Sequence, residues 1–91
     1  MVTKTVTITS SEGLHLRPAT NLCKVAVSYD CDVTFVIGNY HASAKSVISV
    51  LAAKVKQGDE ITLTCDGKDE QEAMEAIMAL IERDLDLPAK Q

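Results

Sequence analysis

The chain has 91 residues, 46% apolar and 24% charged, enough for one domain with one modest core and too little for two. Nine basic and thirteen acidic residues leave a net charge of -4, and one Phe, two Tyr and no Trp supply few stacking surfaces. That balance speaks against a nucleic-acid binder, and no apolar run approaches the ~20 residues that a bilayer crossing needs.

The opening Met1-Val2-Thr3-Lys4-Thr5 runs into an alternating pattern instead of a secretory leader, so a cytoplasmic location is expected. Over residues 2–9, Val2, Lys4, Val6 and Ile8 face one way and threonines the other, which predicts a strand with one wet face. Ser10 to Gly13 is turn-forming. From Leu16 to about Ser28, Ala19, Leu22, Cys23 and Ala26 recur at helical spacing. Cys31, Val33, Phe35 and Ile37 alternate again, and Gly38-Asn39 marks a hairpin into Tyr40–Ala44. Ser46 offers an N-cap to a short helix from Val47 to about Val55, which Gln57-Gly58-Asp59 closes.

Ile61, Leu63 and Cys65 then alternate along a fourth strand, and Asp66-Gly67 turns the chain. Asp69 caps a last helix, with Glu72 three residues on in a capping-box-like pattern. The apolar stripe of that helix is Ala73, Met74, Ile77, Leu80 and Ile81; Leu87-Pro88 stops it, and the final residues are expected to fray. The order β-α-β-β-α-β-α predicts an α+β domain over residues 1–91, with helices covering one side of a mainly antiparallel sheet. Cys23, Cys31 and Cys65 are odd in number and form no CxxC, which argues against a disulfide framework or a zinc site. Each falls on an inward-facing position and reads as a small buried hydrophobe.

The chemistry concentrates in Gly13-Leu14-His15-Leu16-Arg17-Pro18-Ala19-Thr20. Proline suits a first helical turn, where its missing N–H is not needed. His15 therefore falls at or beside a helix N-terminus, where unpaired N–H groups and the positive end of the dipole favour an anion. Arg17 adds a guanidinium suited to phosphate oxygens. By themselves these residues specify an anion site with a histidine in it. His41 reads as a strand-surface residue, and no metal site is expected.

The motif and element order closely resemble the histidine-containing phosphocarrier (HPr) family of the bacterial sugar phosphotransferase system, from Val2 to about Leu85. Residues 13–20 are similar to the family's active-site signature, and Ala44-Lys45-Ser46 to its regulatory-serine region. Gly67 to Ala73 is similar to the start of its last helix. The resemblance implies an open-faced β-sandwich, a four-stranded sheet with three helices on one face. It also implies a relay without cofactor, in which enzyme I passes a phosphoryl group to His15 and enzyme IIA components remove it. His15 would be the nucleophile, the backbone N–H groups of Leu16 and Arg17 would face the phosphoryl oxygens, and Pro18 would hold the turn.

Val47 and Ile48 match the family's apolar docking patch, which Thr20, Cys23 and Lys24 extend; Leu51 borders it, although Val50, Leu51 and Val55 also read as core. Lys24 would steer acidic partners. Ser46 reads either as a plain N-cap or, as in the Gram-positive branch, as the target of a serine kinase and phosphorylase. A phosphate there would place about two negative charges at the docking patch. Glu12, Leu16, Ser49, Lys54 and Tyr40-His41 depart from common family residues and bear on partner choice. Two functions follow from the resemblance: a phosphocarrier, expected to be monomeric, or a regulatory module acting through phospho-Ser46 on a transcriptional regulator or a metabolic enzyme. A small hydrolase or transferase built on His15 lacks a nucleophile elbow and an orienting third residue.

Overall fold

The four alternating stretches become four strands of one sheet in a computed structural model that describes residues 1–9, 13–14 and 16–83. They are β1 (Val2–Thr7), β2 (Asp32–Ile37), β3 (Tyr40–Ser43) and β4 (Glu60–Asp66). Between them run the helices α1 (Leu16–Val27), α2 (Val47–Ala52) and α3 (Glu70–Arg83). The strand order is β1-β4-β2-β3, and every neighbouring pair is antiparallel. Because β4 runs against both β1 and β2, those two strands are parallel to each other with β4 inserted between them, a split β-α-β unit. Thr7 lies opposite Glu60. The loop that leads from α2 into β4 is thereby laid beside the residues that leave β1 toward α1.

Phe35, Val33, Ile61, Leu63 and Cys65 of the sheet pack beneath Leu22, Ala19 and Ala26 of α1 and Ala73, Met74 and Ile77 of α3, all essentially buried. α1 and α3 pack against each other, and α3 lies closest to the sheet, over β4 and β1. The outer face is open and threonine-rich: Thr3 and Thr64 share a 3.3 Å hydrogen bond, as do Thr5 and Thr62. At the hairpin, Gly38 takes φ +56 and Asn39 does not cross to positive φ, which is the pattern of a type II′ turn. Lys4 sits on the inward face but on the edge strand, and its side chain stays exposed. There it lines a shallow groove of about 300 Å³ with Met74, Met78 and Glu82, and a charge at that place discourages edge-to-edge pairing.

Two local expectations change. The second helix ends at Ala52 and not near Val55, because Lys54 takes the left-handed φ of +54. The N–H groups of Ala53 and Lys54 turn back to Val50 and Leu51 carbonyls at 3.2 and 3.1 Å, the tightening that closes a helix. The cap of α3 is also organised differently. Asp69 is its N-cap by position, its carbonyl accepting from the Ala73 N–H at 3.0 Å. Its carboxylate, however, accepts from the Asp30 and Cys31 N–H groups at 2.8 and 2.9 Å, tying the α1–β2 connection to α3. Glu70, not Glu72, reaches back three residues, to the Gly67 N–H at 3.0 Å. The expected turn at Ser10–Glu12 and the stop at Leu87-Pro88 lie outside the described residues.

The backbone N–H of Asp30, seconded by that of Cys31, holds the Asp69 carboxyl below the usual carboxylate range. A depressed folded pKa means stability that is present above the unfolded value and lost as pH falls through the folded one. Thermal unfolding followed from pH 5 downward is therefore expected to show an acid-sensitive contribution that Asp69→Asn removes. That variant should also melt several degrees lower than the native chain at pH 7. Equal acid sensitivity in both chains would contradict this role.

Cys31 and Cys65 are buried as expected, and burial pushes the Cys31 thiol up to about 11 and raises that of Cys65. Cys23 is different. It is half-buried, and its Sγ donates to the Lys45 carbonyl at 3.1 Å, joining α1 to the segment before α2.

Candidate functional site

The first turn of α1 contains Leu16, Arg17, Pro18 and Ala19. Pro18 is buried in that turn and costs no hydrogen bond there. Within the helix the N–H groups of Leu16 and Arg17 have no acceptor of the i→i−4 ladder, so they form the positive pole of the dipole. Leu16 is 61% exposed and Arg17 is exposed as well. Thr20 donates its hydroxyl to the Leu16 carbonyl at 2.7 Å. His15, the residue before Leu16, and Glu12 both lie outside the described residues.

The topology fixes what flanks this turn. Ile8 donates to the Asp59 carbonyl and accepts from Gly58, each at 2.8 Å, and Gln57 donates from Nε2 to the Thr9 carbonyl at 3.3 Å. On the far side Leu14 donates to the Val55 carbonyl at 3.0 Å and buries its side chain in the core. Gly13 has φ +65, and a Cβ there would meet the Val55 oxygen at 2.2 Å and the Lys56 Cα at 2.7 Å. The 55–59 loop is stiffened in turn by the Lys56 N–H donating to Asp59 Oδ2 at 2.9 Å. One loop thus holds the chain at residues 8–9 and again at 13–14, immediately before the histidine.

Beside this turn α1 packs on α2. Cys23, Thr20 and Lys24 continue along α1, half-buried, half-buried and exposed in that order. On α2, Ile48 is 80% exposed while Val47 and Leu51 are half-buried. Val50 and Val55 belong to the core. The residues singled out for docking therefore lie on two helices packed against each other, with Cys23 tied to the segment before α2. Ser46 is the N-cap of α2, its Oγ accepting from the Ser49 N–H at 3.2 Å.

Several contributors were not legible from sequence. The Val55 carbonyl anchors Leu14, and Lys45 donates from Nζ to the Tyr29 carbonyl at 2.8 Å. Ser49 and Tyr40 brace α2 against β3. His41 is an exposed residue of β3 opposite Val36. No three His, Cys, Asp or Glu side chains are grouped for a metal, and no helix is long and apolar enough to cross a membrane, among the described residues.

Residues 2–83 match the family model described as the PTS HPr component phosphorylation site. The phosphocarrier protein HPr of Haemophilus influenzae is 41% identical over 81 residues, which is 89% of this chain and 95% of that protein. Among solved structures, HPr from Thermoanaerobacter tengcongensis matches with a TM-score of 0.88 at 33% identity, covering 90% of this chain and 92% of that one. Crh, the catabolite repression protein of Bacillus subtilis, seen as a swapped dimer, matches with a TM-score of 0.73 at 31% identity, covering 96% and 98%.

Proposed function

Since this chain belongs to the HPr family of phosphocarrier proteins of the phosphotransferase system, we propose that it carries a phosphoryl group on His15 from enzyme I to enzyme IIA proteins. It acts as a stoichiometric carrier, consumed and regenerated in each transfer, not as a turnover enzyme. The observation that carries this reading is the start of α1 directly after the histidine, where Leu16 and Arg17 are exposed and their N–H groups have no acceptor of the i→i−4 ladder.

In the forward step the neutral imidazole nitrogen of His15 attacks the phosphorus held by enzyme I, forming an N–P bond as the bond from phosphorus to the donor breaks and its electron pair stays with the donor. The three phosphoryl oxygens then face the backbone N–H groups of Leu16 and Arg17, and the guanidinium adds charge-assisted bonds. Transfer onward needs a cargo that is steadied but still reactive, which an open turn on the surface provides. Thr20, Cys23, Lys24, Val47, Ile48 and Leu51 form the face against which partners dock, with apolar contact supplying affinity and Lys24 steering acidic partners. Supplying enzyme I and phosphoenolpyruvate to the purified chain should give one acid-labile phosphoryl group per molecule. Absence of label would refute the reading.

The likeness to Crh favours a second reading, in which a kinase phosphorylates Ser46 and the phosphorylated chain binds a transcriptional regulator or metabolic enzyme. A phosphate on Ser46 would sit at the edge of the docking face and repel acidic partners. That reading expects slow labelling of His15 together with strong dependence on a serine kinase. Retention of both His15 and Arg17 speaks against regulation as the only role.

A further inference from the structure

We propose that Ser49 is a positioning residue that fixes the rotation of α2, and with it the direction of Ile48, on the partner-docking face. The inference rests on the phosphocarrier reading above. With six residues α2 is far too short to persist by itself, so tertiary contacts must hold it. Only Val50 is fully buried among its residues, and Ile48 is 80% exposed. The polar anchors converge on one position. Ser49 donates its N–H to Ser46 Oγ at 3.2 Å, accepts the Ser43 N–H on its own Oγ at 2.9 Å, and accepts the Tyr40 hydroxyl on its carbonyl at 3.4 Å. The Ser46 N–H meanwhile donates to the Ser43 carbonyl at 3.2 Å.

Donor, hydroxyl and carbonyl of a single residue are thus all committed to the junction of β3 and α2. Successive helical residues project about 100° apart, so pinning Ser49 toward β3 leaves Ile48 turned outward. Without the Oγ bond the helix keeps its N-cap but loses its direct side-chain tie to the end of β3.

Ser49→Ala should speed amide hydrogen exchange at Ser43 and Val50 by about five-fold, the equivalent of one lost hydrogen bond. In transfer from enzyme I it should raise KM about two- to five-fold and leave kcat unchanged, since fewer molecules present the docking-competent helix. Ser49→Thr keeps the hydroxyl and should restore both, and Tyr40→Phe should shift KM in the same direction by less. An unchanged KM in Ser49→Ala, or a fall in kcat alone, would overturn the proposal. Should Ser49→Ala fail to fold, Tyr40→Phe with native KM would overturn it equally. A native chain that takes no label would overturn the phosphocarrier reading and this inference together, whereas a variant indistinguishable from a well-labelled native chain overturns this inference alone.

Discussion

His15→Ala is expected to take up no phosphoryl group from enzyme I and phosphoenolpyruvate, while keeping the melting temperature and circular dichroism of the native chain. The loss should be complete because the imidazole makes the covalent bond, and neither Arg17 nor the helix N-terminus can accept a phosphoryl group stably. Arg17→Ala should behave differently: label still forms, but about ten- to one-hundred-fold more slowly. A charge-assisted hydrogen bond contributes ~1.5–3 kcal/mol, and the backbone N–H groups of Leu16 and Arg17 remain. Label that survives in His15→Ala would place the accepting group elsewhere and end the assignment.

Gly13→Ala should have the largest effect on stability. Substituting alanine for glycine usually stabilises a chain by restricting its unfolded state, but only where the native backbone suits a side chain. Here φ is +65, which disfavours any Cβ, and that Cβ would press into main-chain atoms of Val55 and Lys56 that cannot rotate away. Left-handed backbone costs ~1–2 kcal/mol and a forced backbone shift ~1–3 kcal/mol, so a loss of about 3 kcal/mol is expected. For a domain of this size that lowers Tm by more than about 10 °C. Gly38→Ala is the internal control, because its φ is +56 yet nothing lies within 4 Å of the added atom. It should cost distinctly less. Because the displaced contact belongs to the loop that holds Gly13 and Leu14 immediately before the histidine, Gly13→Ala should also slow labelling, and Gly38→Ala should not. Equal melting temperatures for the two variants would contradict the close approach of Gly13 to the 55–59 loop.

The elements were readable wherever one periodicity ruled. Alternation in Val33–Ile37 and Ile61–Cys65, and the stripe Ala73, Met74, Ile77, Leu80 and Ile81, gave strands and a helix in their proper places. What escaped depended on partners distant in sequence. Asp69 carries the signature of an ordinary cap, but its carboxylate is used by Asp30 and Cys31, nearly forty residues earlier. Likewise, apolar residues continue through Val55, yet the helix ends at Ala52 because the Val55 carbonyl is required by Leu14 and Lys54 reverses the backbone. Cys23 belongs to the apolar stripe of α1 by spacing, but it lies at the seam with the Lys45 segment and stays half-exposed.

For the candidate site, sequence carried the chemistry and topology carried the support. Pro18 and Arg17 announce a cationic helix start, and the structure places both in the first turn of α1, Arg17 exposed and Pro18 buried. Nothing local, however, says that one loop holds the chain at residues 8–9 and again at 13–14, just before the histidine. That follows from β4 being inserted beside β1, which a one-dimensional pattern does not contain. Ser49 shows the same limit. Its ties to Ser43 and Tyr40 exist only once β3 and α2 are packed.

The most direct test is to label the chain with ¹⁵N, charge it through enzyme I, and compare its amide spectrum with that of the uncharged form. The phosphoryl group should reside on a ring nitrogen of His15, with the largest amide displacements at Leu16 and Arg17 and little change across β2, β3 and α3. Amides of Leu16 and Arg17 that stay in place while the ring is phosphorylated would contradict the claim that this helix start receives the phosphoryl oxygens.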